Sequence, residues 1–90
     1  MKTYDEVFEL TRNIMLSLFR LEEDQIVPDA NIRNELNLDS LDGIDFLCEL
    51  ESIYEKELVS EDDKKDFYKA IKGTVNDLVL FLMKVINKEN

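Results

Sequence analysis

The residues best placed to do chemistry lie in Asn37-Leu38-Asp39-Ser40-Leu41-Asp42, where an irregular segment gives way to a helix. Asp39 is positioned to cap that helix by accepting from the N–H three residues on. Asp42 stands where its carboxylate reaches back, a D-x-x-D form of the capping box. Ser40 then falls in the first turn with its hydroxyl outside the helix. A phosphate ester on that oxygen would sit where unpaired N–H groups and the positive end of the helix dipole favour negative charge. The ordinary alternative is that Ser40 is only a polar residue near a helix start.

Other chemistries fail on residue types. The chain has no histidine, so a Ser-His-Asp arrangement is impossible and Cys48 has no imidazole partner. Asp39 and Asp42 have capping as a sufficient role, and nothing nearby would activate Ser40 as a nucleophile. No residue is assigned as catalytic: Ser40 reads as the substrate of another enzyme. A calcium loop with Gly43 at its sixth position would need an acid where Leu38 stands and an apolar residue where Asp45 stands, so no metal site is read.

The helix that positions Ser40 spans residues 40–56 by its periodicity. Phe46, Leu47, Leu50, Ile53 and Tyr54 share one face, directed to the core. Leu41, Ile44 and Cys48 form a separate edge at i, i+3 and i+7, flanked by Asp45, Glu49, Glu51, Ser52 and Glu55. An apolar stripe bordered by carboxylates suits docking on a basic, partly apolar surface; the other reading makes Leu41 and Ile44 a core margin. Gly43 costs the helix ~1 kcal/mol against Ala and permits a close approach.

Three more helices are predicted. Residues 3–21 place Tyr4, Val7, Phe8, Leu10, Ile14, Met15, Leu18 and Phe19 on one broad face, with Thr3 and Glu6 as a capping box. Residues 60–72 start with Ser60 and Asp63 as another box, and Gly73 is a C-terminal stop. Residues 75–87 follow Thr74 and Asp77, burying Val75, Leu78, Val79, Leu82, Val85 and Ile86, with Leu80, Phe81 and Met83 as additional apolar positions. Residues 22–39 form a long connection, interrupted by Pro28 and anchored by Ile26, Ile32, Leu36 and Leu38. The fold class is therefore all-α: a small four-helix bundle with a long loop between helices one and two, one domain over residues 1–90.

Composition narrows the partners. Hydrophobic residues make up 44% of the chain, too many for a disordered acidic tail. Net charge is −10, and residues 35–66 hold twelve acidic and three basic side chains. Such a surface excludes nucleic acid and attracts basic patches on other proteins. No apolar run is long enough to cross a membrane, and residues 1–12 lack the pattern of a secretion signal. One cysteine, Cys48, forms no internal disulfide and suits a reducing, cytoplasmic compartment.

Leu36-Asn37-Leu38-Asp39-Ser40-Leu41-Asp42, followed by Ile44-Asp45-Phe46-Leu47 and Leu50-Glu51, resembles the attachment region of acyl carrier proteins, and the helix order agrees over the whole chain. The resemblance implies that Ser40, flanked by Asp39 and Leu41, carries 4′-phosphopantetheine. It implies that Leu41, Asp42, Ile44, Asp45, Cys48, Glu49 and Glu51 meet a phosphopantetheinyl transferase and acyl-processing enzymes with basic docking patches, the carrier itself being a monomer. Acyl groups would travel as thioesters on the cofactor thiol, for fatty acid, polyketide or related biosynthesis. Asn37 stands where many carriers have Gly, Cys48 where Met or Leu is common, and residues 59–73 are longer than usual, implying a full third helix. Asp39 before the serine is unlike aminoacyl or peptidyl carriers, which usually have His or another residue there. That carrier type and an unmodified helical interaction module are the alternatives.

Overall fold

The computed structural model describes residues 1–88 and contains four α-helices in that span: α1 (Tyr4–Leu18), α2 (Ser40–Tyr54), α3 (Lys64–Ala70) and α4 (Val75–Ile86). Single 3₁₀ turns occupy Glu23–Gln25 and Glu61–Asp63. Helix α1 packs on α2 and α4, and α3 packs on α4, giving the small four-helix bundle. No described helix is long and apolar enough to cross a membrane.

Local signals set three of the helix starts. The Thr3 hydroxyl accepts from Glu6 N–H, the Asp39 carboxylate from Asp42 N–H and the Thr74 hydroxyl from Asp77 N–H, each with the reciprocal bond present. Each box satisfies two donors that a helix start leaves unpaired. The fourth start differs. Asp63 gives α3 no side-chain cap; its carboxylate accepts from the Ser60 hydroxyl at 3.0 Å and the Lys88 ammonium at 3.1 Å. A cation 25 residues away supplies a stronger, charge-assisted partner than a backbone N–H.

Two helices end earlier than their periodicity suggests. Phe19 is extended (φ −123°, ψ 159°), so α1 stops at Leu18 rather than at residue 21. Glu55 is left-handed (φ 56°, ψ 35°) and closes α2 at Tyr54 rather than at residue 56, with the Lys56 N–H returning to the Glu51 carbonyl. The third helical segment is a 3₁₀ turn leading into seven α-helical residues, rather than one helix over 60–72.

The core runs through the bundle from Val7, Ile14 and Met15 of α1 to Phe46 and Leu50 of α2, and Leu78, Val79, Leu82 and Val85 of α4. Thr11, fully buried, donates its hydroxyl to the Val7 carbonyl at 2.8 Å. Phe67 lies against Phe81 with ring centroids 5.9 Å apart, which places Phe81 in the core, while Leu80 faces solvent. The long first connection is built in: Ile26, Ala30, Ile32, Leu36 and Leu38 are all buried. It is also tied to the start of α4, since Val75 N–H donates to Ala30 and Asn76 N–H to Pro28.

Candidate attachment site and docking face

The run-in to Ser40 is fixed residue by residue. Leu38 buries its side chain and donates its N–H to the Ile32 carbonyl at 3.1 Å. Asn37 just before it is left-handed (φ 58°), as its Asn-for-Gly character suggests. Asp39 is then extended, and its capping box with Asp42 closes at 3.0 and 2.9 Å. The Asp42 N–H, with smaller help from Leu41 N–H and the positive charge of Arg33, holds the Asp39 carboxyl below the usual carboxylate range. Asp39 therefore stays charged at the helix start at neutral pH.

Ser40 is the first residue of α2 and is exposed. Among the described residues, no backbone carbonyl accepts from the Ser40 or Leu41 N–H. Fourteen residues of helix follow Ser40, so a phosphoryl group on the serine oxygen would face the positive end of a full helix dipole.

Beyond the serine, Leu41 (71% exposed), Ile44 (39%), Asp45 and Cys48 lie open on one stripe of α2. Glu49 borders them, half-buried. Two acids grouped with this face have duties inside the chain. Asp42 serves the cap, and Glu51 accepts from the Leu58 N–H at 2.7 Å and the Val59 N–H at 3.2 Å, holding the turn after α2. On the core side, Phe46 and Leu50 are buried, with Leu47 and Tyr54 packed at the edge. Ile53 departs from its expected place: it is 50% exposed in the last turn. Periodicity gives the direction of a side chain, but not the reach of whatever lies opposite.

Gly43 has a clear role in this geometry. A Cβ there would stand 2.5 Å from Cδ1 of Ile71, so the glycine lets Ile71 rest against α2. Ile71, Met15, Phe46 and Leu38 thereby close an apolar cleft next to Asp39 that encloses about 10 Å³, roughly the room for one water molecule. Ile71 reads from the sequence as part of the apolar edge of the third helix, but its contact with Gly43 does not; a helix glycine that permits a close approach was that contact's only trace. No buried side-chain nitrogen or oxygen among the described residues lacks a hydrogen-bond partner. No group of three or more Cys, Asp or Glu residues there is placed to hold a metal ion.

No protein-family model matches the chain, and no solved structure matches it.

Proposed function

We propose that the chain is an acyl carrier, bearing 4′-phosphopantetheine on Ser40. The observation that carries this reading is an exposed serine at the first position of a capped helix, with no backbone carbonyl covering the Ser40 and Leu41 N–H groups and an open apolar and acidic stripe leading away from it. A separate transferase, recognising that stripe, supplies the chemistry. The serine Oγ–P bond forms, the pyrophosphate bond of coenzyme A breaks with adenosine 3′,5′-bisphosphate as the leaving group, and the serine proton passes to a base of the transferase. This chain contributes position and charge, and the cofactor brings the thiol that carries acyl groups.

The residues divide the work. Asp39 fixes the serine's place on the helix, and Leu41, Ile44, Asp45, Cys48 and Glu49 meet basic partner enzymes. Fatty acid, polyketide or related specialised synthesis fits the Asp39-Ser40-Leu41 pattern better than an aminoacyl or peptidyl carrier. The lone Cys48 suits a reducing cytoplasm. With only about 10 Å³ in the cleft, an acyl chain lodges beside α2 only after Ile71 swings away.

Thiol counting tests the reading. The Cys48→Ser variant has no thiol, so incubation with coenzyme A and a broad-specificity transferase, then removal of free coenzyme, should leave one thiol per chain. A thiol count that stays at zero contradicts the proposal and leaves a helical docking module as the better description.

A further inference from the structure

Between Arg20 and Lys56 the chain has eleven acidic residues and a single basic one, Arg33. The backbone brings that residue to the run-in of α2. The Ile32 carbonyl accepts from the Leu38 N–H at 3.1 Å, so the peptide unit joining Ile32 to Arg33 lies against the one joining Asn37 to Leu38, two residues before Ser40. The Asn31 side-chain oxygen fixes this stretch further, accepting from the Arg33 N–H at 3.1 Å and the Asn34 N–H at 2.8 Å.

The charge of Arg33 is uncommitted. Its side chain is exposed, and among the described residues no carboxylate lies within ion-pair distance of it. The acids of the loop and first turn have other partners: Glu35 accepts from the Asn31 N–H at 2.9 Å, and Asp39 and Asp42 accept from each other's N–H. The cation is nonetheless felt at the attachment site. It adds to the stronger effect of the Asp42 N–H in holding the Asp39 carboxyl below its ordinary range.

A phosphodiester on Ser40 would bring a negative charge between Asp39 and Asp42, on a chain whose net charge is already −10. The helix start offers about half a positive charge in return, less than those two carboxylates oppose. A guanidinium supplies a full charge at any working pH, and its planar fork of N–H donors matches phosphate oxygens.

We propose, on the carrier reading, that Arg33 is a cofactor-binding residue: its guanidinium pairs with the phosphodiester on Ser40 and holds the root of the arm at the start of α2. The pair is exposed, so its contribution is modest and fades as salt rises.

The test compares the chain before and after incubation with coenzyme A and a broad-specificity transferase, in the parent and in Arg33→Gln, Arg33→Lys and Lys56→Gln. Lys56 is the control, an exposed cation beyond the far end of α2. In phosphorus NMR the phosphodiester resonance should move in Arg33→Gln and stay in place in Lys56→Gln. The change in melting temperature on modification should be less favourable in Arg33→Gln than in the parent by about 2–4 °C at ~0.01 M salt, the difference fading at ~1 M. Arg33→Lys, which keeps the charge, should restore most of it. Comparing modified with unmodified forms of each variant removes any effect of Arg33 on the loop itself. A resonance and a melting change that are the same in the parent and in Arg33→Gln overturn the inference and leave the carrier reading standing, as does an equal change in Lys56→Gln. No phosphorus signal in the parent contradicts the carrier reading itself, and the role of Arg33 with it.

Discussion

Helices α2 and α4 start with the same local device and use it differently. Both open with a capping box of closely similar geometry, Asp39 with Asp42 and Thr74 with Asp77. At α4 the first helical residue, Val75, is fully buried, and the N–H groups of Val75 and Asn76 donate to the carbonyls of Ala30 and Pro28. The chain itself closes that helix end. At α2 the first residue is the exposed Ser40, and its turn has no such carbonyl lid. The same box thus anchors a loop in one place and presents a hydroxyl in the other. A cap therefore says where a helix begins; what covers the next two N–H groups separates a structural end from one available to a ligand.

The largest expected effect lies on the docking stripe. Asp45→Lys with Glu49→Lys should slow modification by a transferase about tenfold or more at low salt, with the helical signal unchanged, and the defect should shrink as salt rises. Asp42→Lys belongs to a different class, because it also breaks the cap; its slower modification should come with a lower melting temperature. Salt-independent kinetics in the parent chain would remove α2 as the electrostatic docking face.

The two caps can be separated by paired measurements. Thr74→Ala should cost about 1 kcal/mol of stability and leave the modification rate of the folded chain unchanged. Asp39→Ala should lower both the melting temperature and the modification rate, because Asp39 also sets the position of Ser40. Equal effects of the two variants on modification would erase the contrast between the helix starts.

A smaller effect concerns Gly43. Alanine there gains ~1 kcal/mol of helix propensity but pushes against Cδ1 of Ile71. In the parent chain the two should nearly cancel. In an Ile71→Val background, where that methyl is gone, Gly43→Ala should stabilise by about 1 kcal/mol in denaturant titrations. Equal effects of Gly43→Ala in both backgrounds would mean that Ile71 does not dictate the glycine.

Acid gives the smallest predicted response. Glu6, Asp39 and Asp63 are held below their ordinary values, chiefly by Thr3 N–H, Asp42 N–H and Lys88 respectively. A depressed folded pKa means stability that is present above the unfolded value and lost as pH falls through the folded one. Melting temperature should therefore fall below pH ~4, the ordinary carboxylate range, with a shallower fall in Asp39→Asn. An identical acid slope in that variant would show that the cap is not linked to protonation.

How much of this was legible in the sequence follows from the range of each interaction. The boxes at Thr3, Asp39 and Thr74 each involve residues three apart, and all three were readable. Ser60 and Asp63 have the same spacing, yet Asp63 turns to Lys88, which no local rule includes. Gly43 was visible as a cost and as room for a close approach, but not the neighbour that takes that room, Ile71, 28 positions on. Glu51 read as part of the acidic face, while its carboxylate binds two backbone N–H groups in the following turn. The fold class and Ser40's place on α2 needed only short-range patterns. Which acids are free for a partner needed the tertiary structure.

Intact mass is the most direct test of the carrier reading. The parent chain and Ser40→Ala would be incubated side by side with coenzyme A and a broad-specificity phosphopantetheinyl transferase. The account predicts a gain of one phosphopantetheinyl group in the parent chain and none in Ser40→Ala. No gain in the parent, or a gain that survives in Ser40→Ala, would contradict it.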